Sequence, residues 1–293
     1  MKQVSRSFCA ITACCLLAFG LLLLARPAAA EMNATAWVDG HNSRARLLFG
    51  GRPGPDGEIE RFAAIEIEMP PGWKTYWRQP GSAGGIPPTL DWSGSTNLKN
   101  VVLRFPPPSR FVDSTGHTIG YKKTVVLPAR LYLTDPGRPV ELDLKIFFGV
   151  CRDLCIPAEA SFRTTIHPRQ FMHWPPALSQ AADNLPVAEG NSSQAPSLPT
   201  VQRIMPVARS DGDRALLVDV RFPGGTSGAD LFAERGDGMG LAMTEAVARP
   251  APDVIRFRLP VTSAAEWAKL GETGLVLTIV SDQGASTVRR ARP

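Results

Sequence analysis

Residues 140–166 read VELDLKIFFGVCRDLCIPAEASFRTTI, and this stretch predicts a β-hairpin that carries the only two cysteines beyond residue 30. Side chains of similar character recur at every second position on both sides of the cysteines, which is the period of a strand with one buried face. These residues are Leu142, Leu144, Ile146 and Phe148 before the cysteines, and Phe162, Thr164 and Ile166 after them. We therefore expect strands at Val140–Phe148 and Ala158–Ile166. Gly149–Pro157 would then be a connection long enough to carry a function.

Outward from this hairpin, the sequence predicts an all-β protein. Short alternating segments are separated by turns that draw on 27 prolines and 26 glycines. The aromatic segment Gly72–Gly85 should be a strand that runs into an ordered loop, and Pro106–Tyr121 should be a polar loop. The other strands expected in this part of the chain are Ile65–Met69, Leu98–Phe105 and Thr124–Leu133.

The carboxy-terminal part has the pattern of a smaller, mostly-β module without a chemical motif. We expect a first domain over 31–168, a linker with a short helix over 169–199, and the second module over 200–293. Ser263 and Glu266 fit a capping box for a helix over Ala264–Leu270. Further strands are expected at Ala215–Phe222, Val254–Leu259 and Gly274–Val280.

Residues 1–30 have the layout of a secretory signal peptide. Basic residues are followed by an apolar run, and the segment ends in small residues, with cleavage expected near Ala30. Removing this segment takes three of the five cysteines and lowers the formal net charge from +5 to +2, because Lys2, Arg6 and Arg26 leave with no acidic residue. The two remaining cysteines would then be in a compartment where disulfides persist.

Several classes of function find no support in the sequence. No basic block interleaved with aromatic residues indicates a nucleic-acid partner. Beyond residue 30 no apolar run is long enough to span a bilayer. The sequence also has no nucleotide-binding glycine pattern, no hydrolase motif and no signature of a cofactor.

Cys151 and Cys155 have three possible roles. A bent five-residue segment can bring their Cα atoms within disulfide range, and such a short loop stabilises a fold by only about 2 kcal/mol in the chain-entropy model. This modestly favours a reversible redox pair over a structural disulfide. A metal site is the weakest reading, because the four histidines show no ligand spacing, although two thiolates could hold Cu(I).

The neighbours of the cysteines leave the reactive thiol open. Arg152 supplies a cation that favours a thiolate, and Asp153 opposes it. Trp73, Tyr76 and Trp77 could form a platform beside the cysteines, but by composition they are more typical of core aromatics.

Three motifs resemble the periplasmic amino-terminal domain of the DsbD thiol:disulfide interchange (protein-disulfide reductase) family. They are Gly72–Gly81 (GWKTYWRQPG), Gly120-Tyr121 followed by Val125–Pro128 (VVLP), and Cys151–Pro157 (CRDLCIP). They occur in the family's order over roughly residues 35–167, and the cysteine spacing resembles the ScsB-like branch. The part after residue 200 resembles the extra β region of ScsB-like proteins, with weaker motifs.

The resemblance implies an immunoglobulin-like β-sandwich whose cysteine pair relays electrons. Cys155 would form the mixed disulfide and Cys151 would resolve it. A cap loop over about Phe111–Ile119 would shield the pair, with Asp113 as a possible acid that tunes the thiols. The residues expected to line the site are Tyr76, Trp77, Asp113, His117, Tyr121, Arg152 and Asp153.

The resemblance also implies partners in the periplasm. Electrons would come from a membrane-embedded thiol reductase domain and pass to thioredoxin-like or disulfide isomerase-type proteins, a chemistry linked in this family to cytochrome c biogenesis. Family members continue into a membrane domain and a thioredoxin-like domain, which this sequence does not contain, so we expect the reductant to be a separate protein. Two other hypotheses remain: a binding module with a permanent disulfide, and a copper-handling domain.

Overall fold

The computed structural model of the chain describes residues 33–113, 116–189, 196–208 and 214–291. The expected signal peptide at residues 1–30 lies outside them. The strands of the first part are β1 (Val38–Gly40), β2 (Ser43–Pro53), β3 (Ile59–Glu68), β4 (Lys74–Tyr76), β5 (Thr89–Asp91), β6 (Leu98–Leu103), β7 (Ser109–Asp113), β8 (Gly116–Lys122), β9 (Thr124–Leu133), β10 (Val140–Cys151) and β11 (Cys155–Ile166).

Two helical segments follow, and then the strands of the second part. The elements are a 3₁₀ helix (Pro168–Met172), α1 (Pro176–Asp183), β12 (Val187–Ala188), β13 (Thr200–Ala208), β14 (Arg214–Arg221), β15 (Asp230–Arg235), β16 (Glu245–Ala251), β17 (Val254–Val261), α2 (Ala264–Thr273), β18 (Leu275–Ser281) and β19 (Gly284–Arg290).

Each part is built from two sheets. In the first, strands in the order β1-β2-β3-β9-β6 face strands in the order β11-β10-β4-β8-β7, and β5 pairs with the same edge of β10 as β4. The second has sheets ordered β12-β19-β18-β15 and β13-β14-β17-β16. The expected all-β class and the immunoglobulin-like sandwich of the first part are confirmed.

The core of the first sandwich follows from the alternation of its strands. Leu144 and Ile146 of β10 are fully buried and pack in one cluster with Leu47 and Ile65 of the opposite sheet. Since adjacent residues of a strand point to opposite faces, Lys145 between them is exposed. The other side of the first sheet is covered by α1, whose Leu178 packs on Leu48, Phe62 and Ala64.

Three expectations need correction. The cysteine hairpin has no long connection, because β10 and β11 stay paired from Val140↔Ile166 to Cys151↔Cys155. The segment Pro106–Tyr121 is a hairpin rather than a loop, since β8 pairs with β4 and β7 pairs with β8.

The third correction concerns the linker expected over 169–199. Its 3₁₀ helix and α1 pack on the first sandwich, and β12 joins the second by pairing in parallel with β19. In the second part, Ser263 is the expected N-cap of α2, which begins at Ala264: its Oγ accepts a hydrogen bond from the Glu266 backbone N–H at 3.1 Å. The reciprocal bond of a capping box is absent, because the Glu266 carboxylate accepts from the Thr262 backbone N–H instead.

The burial of β10 gives a stability prediction. Leu144→Ala should lower the free energy of unfolding of the first sandwich by about 2–5 kcal/mol, because it removes a fully buried side chain and leaves a cavity. Lys145→Ala, at the next and exposed position, should change it by less than about 0.5 kcal/mol. Urea unfolding followed by circular dichroism measures both; equal effects would contradict the assigned strand register.

Candidate redox site

The two cysteines are the last pair of the β10–β11 ladder. They form a disulfide, with Cα atoms 4.1 Å apart, and only Arg152–Leu154 connects them. Cys151 is buried, with 7% of its surface accessible, whereas Cys155 and Leu154 are exposed. Cys155 is therefore the more accessible of the two cysteine residues.

The cysteines face away from the sandwich core. Phe148 and Val150 of β10 point into the core, so Gly149 and Cys151 are on the outer face of the sheet. The same alternation in and around β4 places Trp73, Thr75 and Trp77 on the core face of the sheet, and Lys74 and Tyr76 on its outer face. Thus Tyr76 and Cys151 share one face.

Tyr76 is the aromatic residue that meets the cysteines. Its hydroxyl is 2.7 Å from Cys155 Sγ. Since a disulfide sulfur carries no hydrogen, the hydroxyl is the donor in this state. The contact spans the sheet, because β10 lies between β4 and β11.

Gly149 makes this crossing possible. A Cβ at this position would lie 3.0 Å from Tyr76 Cε2 and 2.9 Å from Ile86 Cβ, so a larger residue would displace the ring or the segment above it. The Gly149 backbone N–H donates to the Ile86 carbonyl at 2.9 Å. Gly85 also approaches the Tyr76 ring too closely to carry a side chain. The Gly-rich segment, Gly81–Ile86, thus covers Tyr76, which is only 1% exposed despite its place on the outer face.

Lys74 is a residue of this face that the sequence analysis missed. It is the register partner of Cys151 on the neighbouring strand and is buried. Its ammonium donates to Thr118 Oγ1 at 3.3 Å and lies 5.9 Å from the centre of the Phe111 ring. Lys74 thus reaches toward β8 and β7, on the side of β4 away from Cys151. Its position two residues before Tyr76 was the available signal.

Arg152 and Asp153 occupy the exposed tip and pair with each other. The Arg152 Nε atom donates to Asp153 Oδ2 at 2.9 Å, and the guanidinium lies 5.5 Å from the Trp73 ring centre. Their opposite charges largely cancel near the disulfide. Both side chains are more than half exposed, so solvent screens what remains.

Two residues expected to line the site lie on its opposite face. Trp77 is buried in the core and packs against Phe232 with ring centres 5.7 Å apart. Tyr121 pairs with Thr75, and its hydroxyl donates to the Pro106 carbonyl at 2.8 Å. Burial raises the pKa of the Tyr121 phenol well above its ordinary value, so the group stays neutral. Both placements follow from strand alternation.

The expected cap maps onto the β7–β8 hairpin. Lys122 of β8 is level with Lys74 and hence with Cys151, so His117, five residues earlier, lies roughly 16 Å along the strand. The His117 backbone bonds instead to Ser82 and Ala83 of the Gly-rich segment. Phe111 does face the outer surface, beside Lys74 and Lys122. The Asp113 side chain lies outside the described residues.

The described residues contain no group of three or more His, Cys, Asp or Glu side chains arranged to hold a metal ion. Among their helices, none combines the length and the apolar character needed to cross a bilayer.

The structure thus combines a β-sandwich with a disulfide at the end of a hairpin. Residues 58–166 match the family described as "Thiol:disulfide interchange protein DsbD, N-terminal". This part of the chain is therefore similar to DsbD amino-terminal domains, as the three motifs predicted. No curated protein sequence matches the chain significantly.

A solved structure extends the likeness to both sandwiches. The crystal structure of the N-terminal periplasmic domain of ScsB from Proteus mirabilis superposes with a TM-score of 0.64 at 21% sequence identity. The match covers 88% of this chain and 98% of that chain. At this identity the similarity establishes a common fold.

The Tyr76–Cys155 contact gives a prediction for the reduced protein. In a Cys151→Ala background, which leaves Cys155 as the sole cysteine beyond residue 30, Tyr76→Phe removes a donor to the thiolate. A hydrogen bond to a charged group contributes about 1.5–3 kcal/mol, so the pH midpoint of Cys155 alkylation should rise by about one unit or more. Stopped-flow alkylation with iodoacetamide across pH measures this shift.

Tyr132→Phe is the matched control, since this tyrosine is partly exposed on β9 in the other sheet. Its alkylation profile should coincide with that of the Cys151→Ala parent. An unchanged midpoint in Tyr76→Phe would show that the hydroxyl does not support the thiolate.

Proposed function

We propose that this protein is a periplasmic thiol–disulfide exchange protein with Cys151 and Cys155 as its catalytic pair. It accepts electrons from a membrane-embedded thiol reductase domain and passes them to oxidised thioredoxin-like or disulfide isomerase-type proteins. The observation that carries the proposal is the unequal exposure of the two cysteine residues, with the exposed Cys155 beside the Tyr76 hydroxyl.

Reduction begins when a thiolate of the reductant attacks Cys155 Sγ. The Cys151–Cys155 bond breaks, Cys151 leaves as a thiolate, and a mixed disulfide forms through Cys155. The second thiol of the reductant then attacks its own mixed-disulfide sulfur and releases Cys155. Two electrons have entered the pair, and the reductant has become a disulfide.

Transfer to the substrate runs in the reverse sense. The Cys155 thiolate attacks a disulfide of the oxidised partner and releases one partner thiolate, which takes a proton. Cys151, deprotonated, then attacks Cys155 Sγ, which restores the disulfide and releases the second partner thiol. Two electrons and two protons end on the partner.

The surroundings of the two cysteines support these separate roles. Cys155 is open to a partner's sulfur, and Leu154 beside it offers an apolar contact that is 72% exposed. Cys151 is shielded from large partners but lies opposite Cys155, where a resolving thiol must be.

The cellular setting and the domain limits belong to the same proposal. The signal-like segment at residues 1–30 and the disulfide favour an exported, oxidising location. The redox domain would span residues 31–168, and residues 200–293 would form a second domain.

Mixed-disulfide trapping tests the roles of the two cysteines. Cys151→Ala should accumulate a stable mixed disulfide with a thioredoxin-like protein, because the resolving thiol is absent. Cys155→Ala should trap much less, since Cys151 is buried. Non-reducing electrophoresis with mass spectrometry identifies the linked cysteine.

The reduction potential of the pair distinguishes exchange from a permanent clamp. An exchange pair should equilibrate with glutathione at a potential above about −300 mV, the range below which structural disulfides resist reduction. A lower potential, together with no trapped complex in Cys151→Ala, would overturn the proposal.

A further inference from the structure

The second sandwich holds the chain directly after Tyr76. Trp77 packs on Phe232, and the Arg78 guanidinium binds the Glu234 carboxylate at two points, with Nε–Oε1 at 2.8 Å and Nη2–Oε2 at 2.5 Å. The Gln79 side-chain amide donates to the Gly238 carbonyl. Three consecutive residues that follow the Cys155-contacting tyrosine are therefore fixed by the other domain.

A second attachment lies on β7, two strands from β4 in the same sheet. Arg110 of β7 donates to Asp230 Oδ2 at 2.9 Å and to the Thr244 carbonyl at 2.8 Å. Asp230 and Glu234 both belong to β15. The strand between β4 and β7 is β8, whose Gly120 pairs with Tyr76. The strands on the β7 side of Tyr76 are thus anchored to one element of the second sandwich.

The contact is a packed interface rather than a solvated rim. Phe232 and Glu234 are each 2% exposed, and Phe232 belongs to the same apolar cluster as Trp77 and Ile119. The Arg78 guanidinium also stacks on the Trp77 ring at 3.9 Å. A carboxylate buried to this degree is costly without its cation, so the interface depends on the Arg78–Glu234 pair.

We propose that the second sandwich is a positioning domain for the redox site. Through Arg78–Glu234 and Arg110–Asp230 it fixes β4 and the β7–β8 hairpin, and thereby sets the contact between the Tyr76 hydroxyl and Cys155. Glu234 and Asp230 act through Tyr76 and touch neither cysteine. This role deepens the proposed exchange function and rests on it, since it concerns the reactivity of the same thiol.

The test measures Cys155 alkylation in the full-length Cys151→Ala protein. Glu234→Gln removes the charge that holds Arg78 while keeping the side-chain size. The alkylation rate near neutral pH should fall about threefold or more, and the pH midpoint should rise, because Tyr76 is no longer held at the sulfur. Asp230→Asn, at a more exposed position, is the milder second variant and should act in the same direction.

Asp219→Asn is the matched control. Asp219 is a buried carboxylate of the same domain, 3% exposed, and it is bound at two points by Arg256 across β14 and β17. The substitution removes a buried charge from the second sandwich without touching the interface. It should lower domain stability in urea as Glu234→Gln does, but leave the alkylation profile at the parent values.

A Tyr76→Phe background shows whether the effect passes through the hydroxyl. If it does, Glu234→Gln should add no further change there. Three results would overturn the positioning role. They are an equal fall in the alkylation rate with Tyr76 and with Tyr76→Phe, a fall in Asp219→Asn, and no fall in either interface variant. Alkylation needs no partner, so a failure of mixed-disulfide trapping would count against the exchange function alone.

Discussion

The antiparallel pairing of β10 with β11 is the constraint on which the rest of this structure depends. The ladder keeps one register over the whole of both strands and ends with the two cysteines opposite each other. A slip of one residue would exchange the faces, sending Phe148 to solvent and Gly149 into the core. The same register that buries the apolar side chains therefore places the cysteines on the outer face.

In this hairpin, the site depends on Gly149 having no side chain. Its absence opens a path across β10 by which a tyrosine on β4 reaches a sulfur on β11. The tyrosine is covered by the Gly-rich segment and followed by residues that the second sandwich holds. The site is thus assembled from three separate stretches of chain, and only one of them contains cysteine.

The sequence alone predicted the parts of the molecule that depend on local pattern. The strand at Thr124–Leu133 and the Ser263 N-cap of α2 were predicted at their observed positions, because alternation and capping act over a few residues. For the β7–β8 hairpin the sequence predicts a loop, since its glycines and polar residues resemble turn signals. Its strands are defined by the pairing of β8 with β4 and of β7 with β8.

At the site, the resemblance predicts that both Tyr76 and Trp77 line the cysteine pair. Strand alternation predicts otherwise, because neighbouring residues of a strand face opposite sides of the sheet, and only Tyr76 contacts a cysteine. The Arg78–Glu234 pair joins residues 156 positions apart, and no local pattern in one sequence indicates such a contact. The spacing of the cysteines indicated a pair, and the resemblance to DsbD amino-terminal domains implied that Cys155 forms the mixed disulfide. The structure adds that the Cys155 residue is exposed and Cys151 is buried.

The turn between the cysteines is only three residues long, which limits how much the disulfide can stabilise the fold. The strands are already brought together by their hydrogen bonds and by the core beneath them, so the disulfide closes a very short loop and contributes only about 2 kcal/mol to folding in the chain-entropy model. In this model the fold depends little on whether the bond is open or closed, because the ladder and the core hold the two strands in either case.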